Sequence, residues 1–145
     1  MAGINSQGVT FFWSTSTVVS TASSCLIGEV TNISGPSGAR AEIDVTSMNS
    51  AAKEYLMALP DFGEVTFTVN YTGADAVQNA FYADFISTAI PKRKGCIKLT
   101  DTAVHAIIFE GYAKQFSWNM SPDAAITAQC GVRISGAATL TTTIA

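Results

Sequence analysis

The sequence is poor in charged residues. Asp, Glu, Lys and Arg make up 13% of its 145 residues, about half of the roughly 25% typical of soluble domains. Hydrophobic residues reach 48%, and the formal net charge is −3. This weak negative charge argues against a general binder of nucleic acid or anionic membranes. A free monomer with so few charges would expose apolar patches, which favours assembly over the alternative of a well-buried small enzyme core.

Residues that carry chemistry are also scarce. The single histidine, His105, lies in the apolar run Ala103–Phe109, which is typical of a buried strand and predicts a packed or surface-tipped side chain. The cysteines Cys25, Cys96 and Cys130 have no CxxC spacing, and Cys130 is expected to be a small buried hydrophobe. The nucleophile elbow, the phosphate-binding loop and the dinucleotide fingerprint are all missing. We therefore expect no enzyme, no metal site and no cofactor.

Long hydrophobic runs are missing as well. A membrane-spanning helix needs about 18 or more consecutive apolar residues, and the sequence has no such run. The first residues lack the basic and apolar regions of a secretory signal. We expect a protein that is made and used in a cytoplasm.

The stretch 44–67 changes its periodicity part of the way along. Ala41, Ile43 and Val45 alternate with polar residues, a period of two that predicts the end of a strand. Apolar residues at i, i+3, i+4 and i+7 then predict a short helix that Pro60 ends. These positions are Ala52, Tyr55, Leu56 and Leu59. A second strand follows, with Val65, Phe67, Val69 and Tyr71 on one face.

The same stretch carries a family resemblance. Asp44-Val45-Thr46-Ser47, then Ala52-Lys53-Glu54-Tyr55, then Leu59-Pro60-Asp61-Phe62-Gly63-Glu64-Val65 occur in this order. The series resembles the signature of tail tube proteins of long-tailed bacteriophages, and the resemblance extends roughly from Glu29 to Ser135. It implies that this segment, a loop with a short helix, contacts neighbouring subunits. The implied interface residues are Asp44, Thr46, Ser47, Lys53, Glu54, Leu59, Asp61, Phe62 and Gly63.

One full helix is predicted over residues 73–89. Asp75 is a suitable N-cap, and Pro91 stops the helix. The apolar stripe consists of Val77, Phe81 and Phe85, widened by Ala80 and Ile86. Gln78 is assigned to the outer face. An amphipathic helix of this kind covers one face of a sheet.

The remainder is predicted to be β. Two alternating strands joined at Ser121-Pro122-Asp123 predict a hairpin in the last third, and Gly111 predicts a bend or bulge in the preceding strand. The expected fold class is mainly β with one flanking helix (α+β), in a single domain over residues 1–145. By the resemblance, it consists of two packed antiparallel sheets in a β-sandwich or barrel of the phage tail tube type.

The two termini suit two interpretations each. Residues 1–24 either form an arm that anchors on a neighbouring subunit through Phe11 and Trp13, or supply a first edge strand of the same domain. Residues 139–145, short and rich in threonine, form a second arm or an edge strand.

Charge is segregated along the chain. Residues 91–102 include Lys92, Arg93 and Lys94, whereas residues 42–84 hold seven acidic residues and one basic residue. These segments could meet across a repeated subunit contact. The alternative is a solvated loop after a helix C-terminus, where cations suit the helix dipole.

The function implied by the resemblance is structural. Identical subunits would form stacked, hexameric rings around a hollow conduit for DNA ejection, with DNA passing through without specific binding. The implied partners are other copies and other tail proteins (tape measure, tail tip, terminator), and the location is the virion tail after assembly in the host cytoplasm. A tube subunit of a contractile tail or contractile secretion apparatus is an alternative, as is a monomeric β-sandwich binding module.

Overall fold

A computed structural model of the protein describes residue 3 and residues 7–14, 25–101 and 105–142. The described residues form ten strands and one helix. The strands are β1 (Thr10–Ser14), β2 (Leu26–Ile27), β3 (Val30–Ser34), β4 (Ala39–Asp44), β5 (Tyr55–Asp61), β6 (Glu64–Asn70), β7 (Arg93–Lys98), β8 (Ala106–Asn119), β9 (Thr127–Ile134) and β10 (Thr139–Thr141). The helix α1 (Ala76–Ile86) lies between β6 and β7.

Eight strands form one antiparallel sheet in the order β2-β1-β7-β8-β9-β6-β3, with β10 paired to the first part of β8. The sheet folds over, because Phe11 on β1 stacks on Phe67 of β6 with ring centroids 4.4 Å apart although these strands are not neighbours. Two facing layers therefore enclose the core, and the long strand β8 belongs to both of them. The predicted class, mainly β with one flanking helix, is confirmed.

The alternation predicted for β6 and β9 is confirmed by burial. The inward side chains are Val65, Phe67, Val69, Ala128, Cys130, Val132 and Ile134. Burial raises the pKa of the Cys130 thiol to about 12 and that of Cys96 to about 11, so both cysteines remain as neutral thiols among apolar neighbours.

The bend or bulge predicted at Gly111 has its counterpart a few residues further along β8. The register of β8 against β9 shifts between Ala113 and Gln115. Gly111 has a different role, because a Cβ atom there would lie 2.4 Å from the carbonyl oxygen of Arg133. Glycine at this position allows the close approach of two strands.

Helix α1 is shorter than predicted and turned about its axis. Asp75 is the N-cap, as expected, and accepts hydrogen bonds from the N–H groups of Val77 and Gln78 at 2.9 and 3.2 Å. Gln78, assigned to the outer face, is 2% exposed, whereas Phe85 is 36% exposed. The Gln78 amide donates to the carbonyl of Gly28 and accepts from the N–H of Thr72. A polar side chain is buried here because it satisfies backbone groups of the connections that follow β2 and β6.

For the described part of residues 1–24, the interpretation as a strand of the same domain holds, although β1 lies between β2 and β7 and not at the edge. Phe11 and Trp13 lie in β1 and are 0% and 1% exposed, buried in the core of their own subunit. They are therefore not anchors of an arm, and residues 15–24 lie outside the described chain. Residues 139–141 form β10 on the edge of β8, and residues 143–145 are likewise outside the described part.

The predicted short helix within 44–67 is wrong. Residues 55–61 form β5, which pairs antiparallel with β4, and Leu56 lies opposite Ile43. A strand that is apolar on both faces can also place residues at i, i+3 and i+4, so local spacing alone misled the prediction. Pro60 is tolerated because this hairpin is irregular beside it, with a register shift between Arg40 and Glu42.

Candidate assembly surface

Strands β4 and β5 form a two-stranded hairpin, the β4–β5 hairpin (Ala39–Asp61), that is separate from the main sheet. Every residue of β4 is exposed. An isolated two-stranded hairpin is at best marginally stable in water, so this element needs either its own polar network or a partner surface.

Both faces of the β4–β5 hairpin carry exposed apolar side chains. Ile43 and Leu56 lie opposite each other, and Val45 follows on the same face; we call this the aliphatic face. On the other face, the mixed face, Tyr55 lies opposite Asp44 and Met57 lies opposite Glu42. The exposed fractions are Ile43 49%, Val45 41%, Leu56 58%, Tyr55 48% and Met57 58%, with Leu59 at 89% near the register shift and Met48 at 104% in the loop. Exposed apolar side chains on neighbouring positions of both faces are typical of a surface that binds a partner.

The tip of the hairpin is held by side-chain hydrogen bonds. The N–H of Thr46 donates to Asp44 Oδ1 at 2.9 Å, and the N–H of Glu54 donates to Thr46 Oγ1 at 2.8 Å. The N–H of Ser47 donates to Ser50 Oγ at 3.1 Å, and that hydroxyl donates to Glu54 Oε2 at 3.1 Å. These polar residues of the family signature therefore shape the loop that presents the apolar residues.

The base of the hairpin has a second set of contacts. Asp61 Oδ1 accepts the N–H of Gly63 at 2.9 Å, and Arg133 pairs with Asp61 at 2.9 Å. Gly63 has φ 68°, and a Cβ there would lie 2.7 Å from the carbonyl oxygen of Ser37, so only glycine fits without strain. Phe62 packs against the main core. The hairpin is thereby fixed to the body at one end.

The implied interface residues thus fall into two sets. Asp44, Thr46, Ser47 and Glu54 build the tip, and Asp61, Phe62 and Gly63 build the base. Lys53 and Leu59 are exposed. Contact of any of these residues with a neighbouring subunit stays a prediction.

Most of the basic segment forms strand β7, from Arg93 onward, and Lys92 lies in the loop before it. Lys92 pairs with Glu110 at 3.1 Å, Lys94 pairs with the same carboxylate, and Arg93 pairs with Asp84 at 3.1 Å. These cations therefore have partners within the subunit, and a further role for them at a subunit contact stays a prediction.

A second apolar surface, which we call the aromatic patch, joins α1 to the end of β8 and was not identified from the sequence. The Tyr82 ring lies 5.0 Å from the Trp118 ring and 6.4 Å from the Phe85 ring, between centroids. Its exposed members are Phe85 36%, Trp118 39%, Met120 68% and Ile126 42%. The alternation of β8 gave a signal for Trp118 and Met120, but the position of α1 beside them depends on the tertiary structure.

Most of the outward face of the layer β3-β6-β9-β8 is polar and uncharged, and its charge lies in the end row Glu64–Arg133–Tyr112. Cross-strand neighbours share a face, so the register defines its rows. The rows are Ser34–Thr66–Gly131–Gln115, Asn32–Thr68–Gln129–Ser117 and Asn70–Thr127–Asn119. Charge appears next to these rows, where Lys114 pairs with Glu64 at 2.6 Å.

Groups suited to catalysis are sparse in the described ranges. His105 Nδ1 contacts Asp101, a hydrogen bond that lowers the pKa of that carboxyl. An open cleft of about 590 Å³ beside β3 is lined by eleven residues that include Val30, Ile33 and Ile97, none of them ionisable. Among the described residues, no group of three or more His, Cys, Asp and Glu could hold a metal ion, and no helix has the length and apolarity to cross a membrane.

Acid should loosen the β4–β5 hairpin at both ends. Hydrogen bonding to the N–H of Thr46 lowers the pKa of Asp44 below 3.8, and hydrogen bonding to the N–H of Gly63, with Arg133, lowers that of Asp61. A lowered folded-state pKa gives stabilisation that is complete above the ordinary value and is lost as the pH falls through the folded value. We expect hydrogen-exchange protection of the Thr46 and Gly63 amides to fall once the pH passes below 3.8.

The matched control is the double variant Asp44→Asn/Asp61→Asn. It should show weak protection of both amides at neutral pH and little further change in acid. Unchanged protection in the parent protein on both sides of the transition would contradict this expectation.

Comparison with known proteins places this geometry among tail structures. No protein-family model matches the sequence. The chain is 28% identical over 127 residues to "Structural protein 3" of Pseudomonas phage PAJU2, covering 75% of this chain and 77% of the relative. A chain in the tail of an empty GTA particle, solved with C6 symmetry, matches with TM-score 0.68 and 14% identity, covering 96% of this chain and 99% of the other.

Two further solved structures have the same fold. The SPP1 tail tube matches with TM-score 0.68 and 11% identity over 95% of this chain and 78% of the other. A chain of the anti-feeding prophage cap matches with TM-score 0.75 and 9% identity over 99% and 93%. The resemblance seen in the sequence is confirmed: the chain has the tail tube fold and is a relative of a bacteriophage structural protein.

Proposed function

We propose that the protein is the structural subunit of a bacteriophage tail tube, and that its copies assemble into stacked rings around a hollow conduit. The observation that carries this proposal is the β4–β5 hairpin, whose two faces expose Leu56 and Met57, each 58% exposed, among other apolar residues. Covering both faces requires other molecules, and the relatives are phage and tail structures.

Ring formation has a geometric basis in the main sheet. Its path ends at β2 and β3, whose outer edges have no strand partner among the described residues. Pairing such edges with the next subunit satisfies backbone groups and removes an aggregation hazard. Contacts between two different surfaces close into rings, and a further contact along the axis stacks them. The sixfold symmetry of the GTA tail particle supports hexameric rings.

The uncharged polar face supports passage of DNA without specific binding. A bore lined with cations would hold phosphates through counterion release, and one lined with amides and hydroxyls would not. The rows that include Thr68, Gln129 and Ser117 have this neutral character, so we assign them to the lumen. A salt-sensitive, tight affinity of assembled tubes for duplex DNA would count against this assignment.

The proposed role also implies the location of the subunit and its partners. The subunit acts without enzymatic chemistry, belongs to the virion tail and is assembled in the host cytoplasm. Its partners are further copies of itself and other tail proteins, which we take to be the tape measure, the tail tip and the terminator.

Two alternative functions can be compared with the proposed tail tube. A tube subunit of a contractile apparatus shares the fold, as the likeness to the anti-feeding prophage cap illustrates. A monomeric β-sandwich binding module would leave the apolar hairpin uncovered, and for this reason we favour the tube.

The test is assembly of the purified protein, followed by size-exclusion chromatography and negative-stain microscopy. The parent protein should form hollow tubes, and Leu56→Asp/Met57→Asp, which places a carboxylate on each hairpin face, should remain a folded monomer. Leu140→Asp is the matched control, because Leu140 is 65% exposed and lies on β10, away from the hairpin. A parent protein that stays monomeric at high concentration would rule out the tube.

A further inference from the structure

The proposed tube requires each subunit to supply a surface that receives the hairpin of another copy. The same face of two hairpins would make an isologous contact, which closes after two copies and cannot propagate around a ring. The aliphatic face of one hairpin against the mixed face of another would remove Glu42 and Asp44 from water without a cationic partner. The receiving surface must therefore be a different part of the same chain.

The described part of the chain offers one other cluster of neighbouring exposed hydrophobic side chains. Apart from the hairpin residues, the large exposed hydrophobics are Phe85, Ile86, Ile90, Trp118, Met120, Ile126 and Leu140. Tyr82 links Phe85 to Trp118, and Tyr71 contacts the Trp118 ring at 6.2 Å between centroids. The N–H of Tyr71 donates to the carbonyl of Ile126 at 2.8 Å, which brings the loop after β8 into the same surface. This surface is the aromatic patch.

Charge selects which face of the hairpin fits the patch. The aromatic patch consists of neutral side chains, and Asp84 beside it is turned inward, 9% exposed, and paired with Arg93. The aliphatic face (Ile43, Val45, Leu56) has one carboxylate, Glu54 opposite Val45 at the tip, whereas the mixed face carries Glu42 and Asp44 beside its apolar residues. Docking the mixed face on the patch would remove carboxylates from water without a cationic partner, which is costly. Docking the aliphatic face through Ile43 and Leu56 costs less, because its one carboxylate, Glu54, lies at the tip and accepts a hydrogen bond from Ser50.

We infer that the aliphatic face of the β4–β5 hairpin docks on the aromatic patch of a second copy of the chain. This inference rests on the proposed tube function and specifies which two surfaces meet. Aromatic rings supply large, rigid contact areas of roughly 150–250 Å² each, and the aliphatic side chains fill the space between them. The mixed face is left for a different neighbour.

Site-directed cross-linking tests this pairing in assembled protein. The parent for the experiment is Cys25→Ser, because Cys25 is half-buried whereas Cys96 and Cys130 are buried. One preparation carries Leu56→Cys and a second, differently tagged, carries Met120→Cys; they are mixed, assembled and treated with a short bismaleimide. The matched control replaces the first preparation with Met57→Cys, which is adjacent in sequence, equally exposed at 58%, and on the opposite face.

The expected result is a mixed dimer between the Leu56→Cys and Met120→Cys chains, at a yield severalfold above the Met57→Cys control. Equal yields, or a higher yield in the control, while microscopy of the same samples shows tubes, would overturn the docking pair and leave the tube function intact. Absence of tubes and of any cross-linked dimer from all samples, the unmodified protein included, would overturn both proposals.

Discussion

Phe81→Asp should prevent the subunit from folding. Phe81 is 1% exposed and its ring lies 4.9 Å from the Trp13 ring and 5.4 Å from the Phe67 ring, between centroids. Even Phe81→Ala should cost about 3–5 kcal/mol through the cavity it leaves. A carboxylate here would also be buried without a partner, and the total exceeds much of the roughly 5–15 kcal/mol that stabilises a typical domain. Circular dichroism and solubility on expression measure the outcome.

Phe85→Asp on the same helix is the control for this prediction. Phe85 is 36% exposed, so its carboxylate stays in water and the variant should fold with near-parental thermal stability. A soluble, cooperatively unfolding Phe81→Asp protein would show that the inward face of α1 has been assigned incorrectly.

Asp84→Ala should be the most damaging substitution of a charged residue in the protein. Its carboxylate accepts a hydrogen bond from Trp13 Nε1 at 2.9 Å and two from the Arg93 guanidinium at 3.1 and 3.2 Å. It therefore ties α1 to β1 and β7. Removing the carboxylate leaves a buried indole N–H and a largely buried cation without this partner, at a cost of about 3 kcal/mol. Urea unfolding followed by tryptophan fluorescence measures the loss.

Two further variants serve as comparisons for the loss of stability in Asp84→Ala. Asp84→Asn keeps an acceptor for Trp13 but loses the charge that faces Arg93, so it should lie between the parent and Asp84→Ala. Asp123→Ala removes an exposed carboxylate from the β8–β9 loop and should change the free energy of unfolding by less than about 0.5 kcal/mol. If Asp84→Ala lowered the free energy of unfolding as little as Asp123→Ala, the contacts of Asp84 with Trp13 and Arg93 would not stabilise the fold.

Several elements were predictable because their signal is local. The alternation of β6 and β9 identified their buried faces, since one face of a strand must exclude water. Asp75 was recognised as an N-cap because its carboxylate satisfies helix N–H groups within three residues of itself. The order of short motifs around Asp44 and Gly63 indicated the tail tube fold, whereas the assembly that low charge suggests stays a prediction.

Other features depended on residues far apart in the sequence. Residues 55–61 have spacing compatible with a helix, and they form a strand because β4 lies alongside to pair with them. Trp13 could have served an arm or a core, and its contact with Asp84, 71 residues away, decided for the core. Gln78 appeared to be a surface residue until the backbone groups of Gly28 and Thr72 were placed beside it.

The sequence by itself determined which segments alternate, where the helix begins and that the chain carries little charge. The tertiary structure alone decided that β5 is a strand, that Lys92, Arg93 and Lys94 find partners within the subunit, and that α1 lies beside Trp118 to form the aromatic patch. The physical reason is the range of the interactions. Caps and alternation are satisfied within a few residues, whereas strand pairing, ion pairs and apolar surfaces depend on which distant segments the folded sheet brings together.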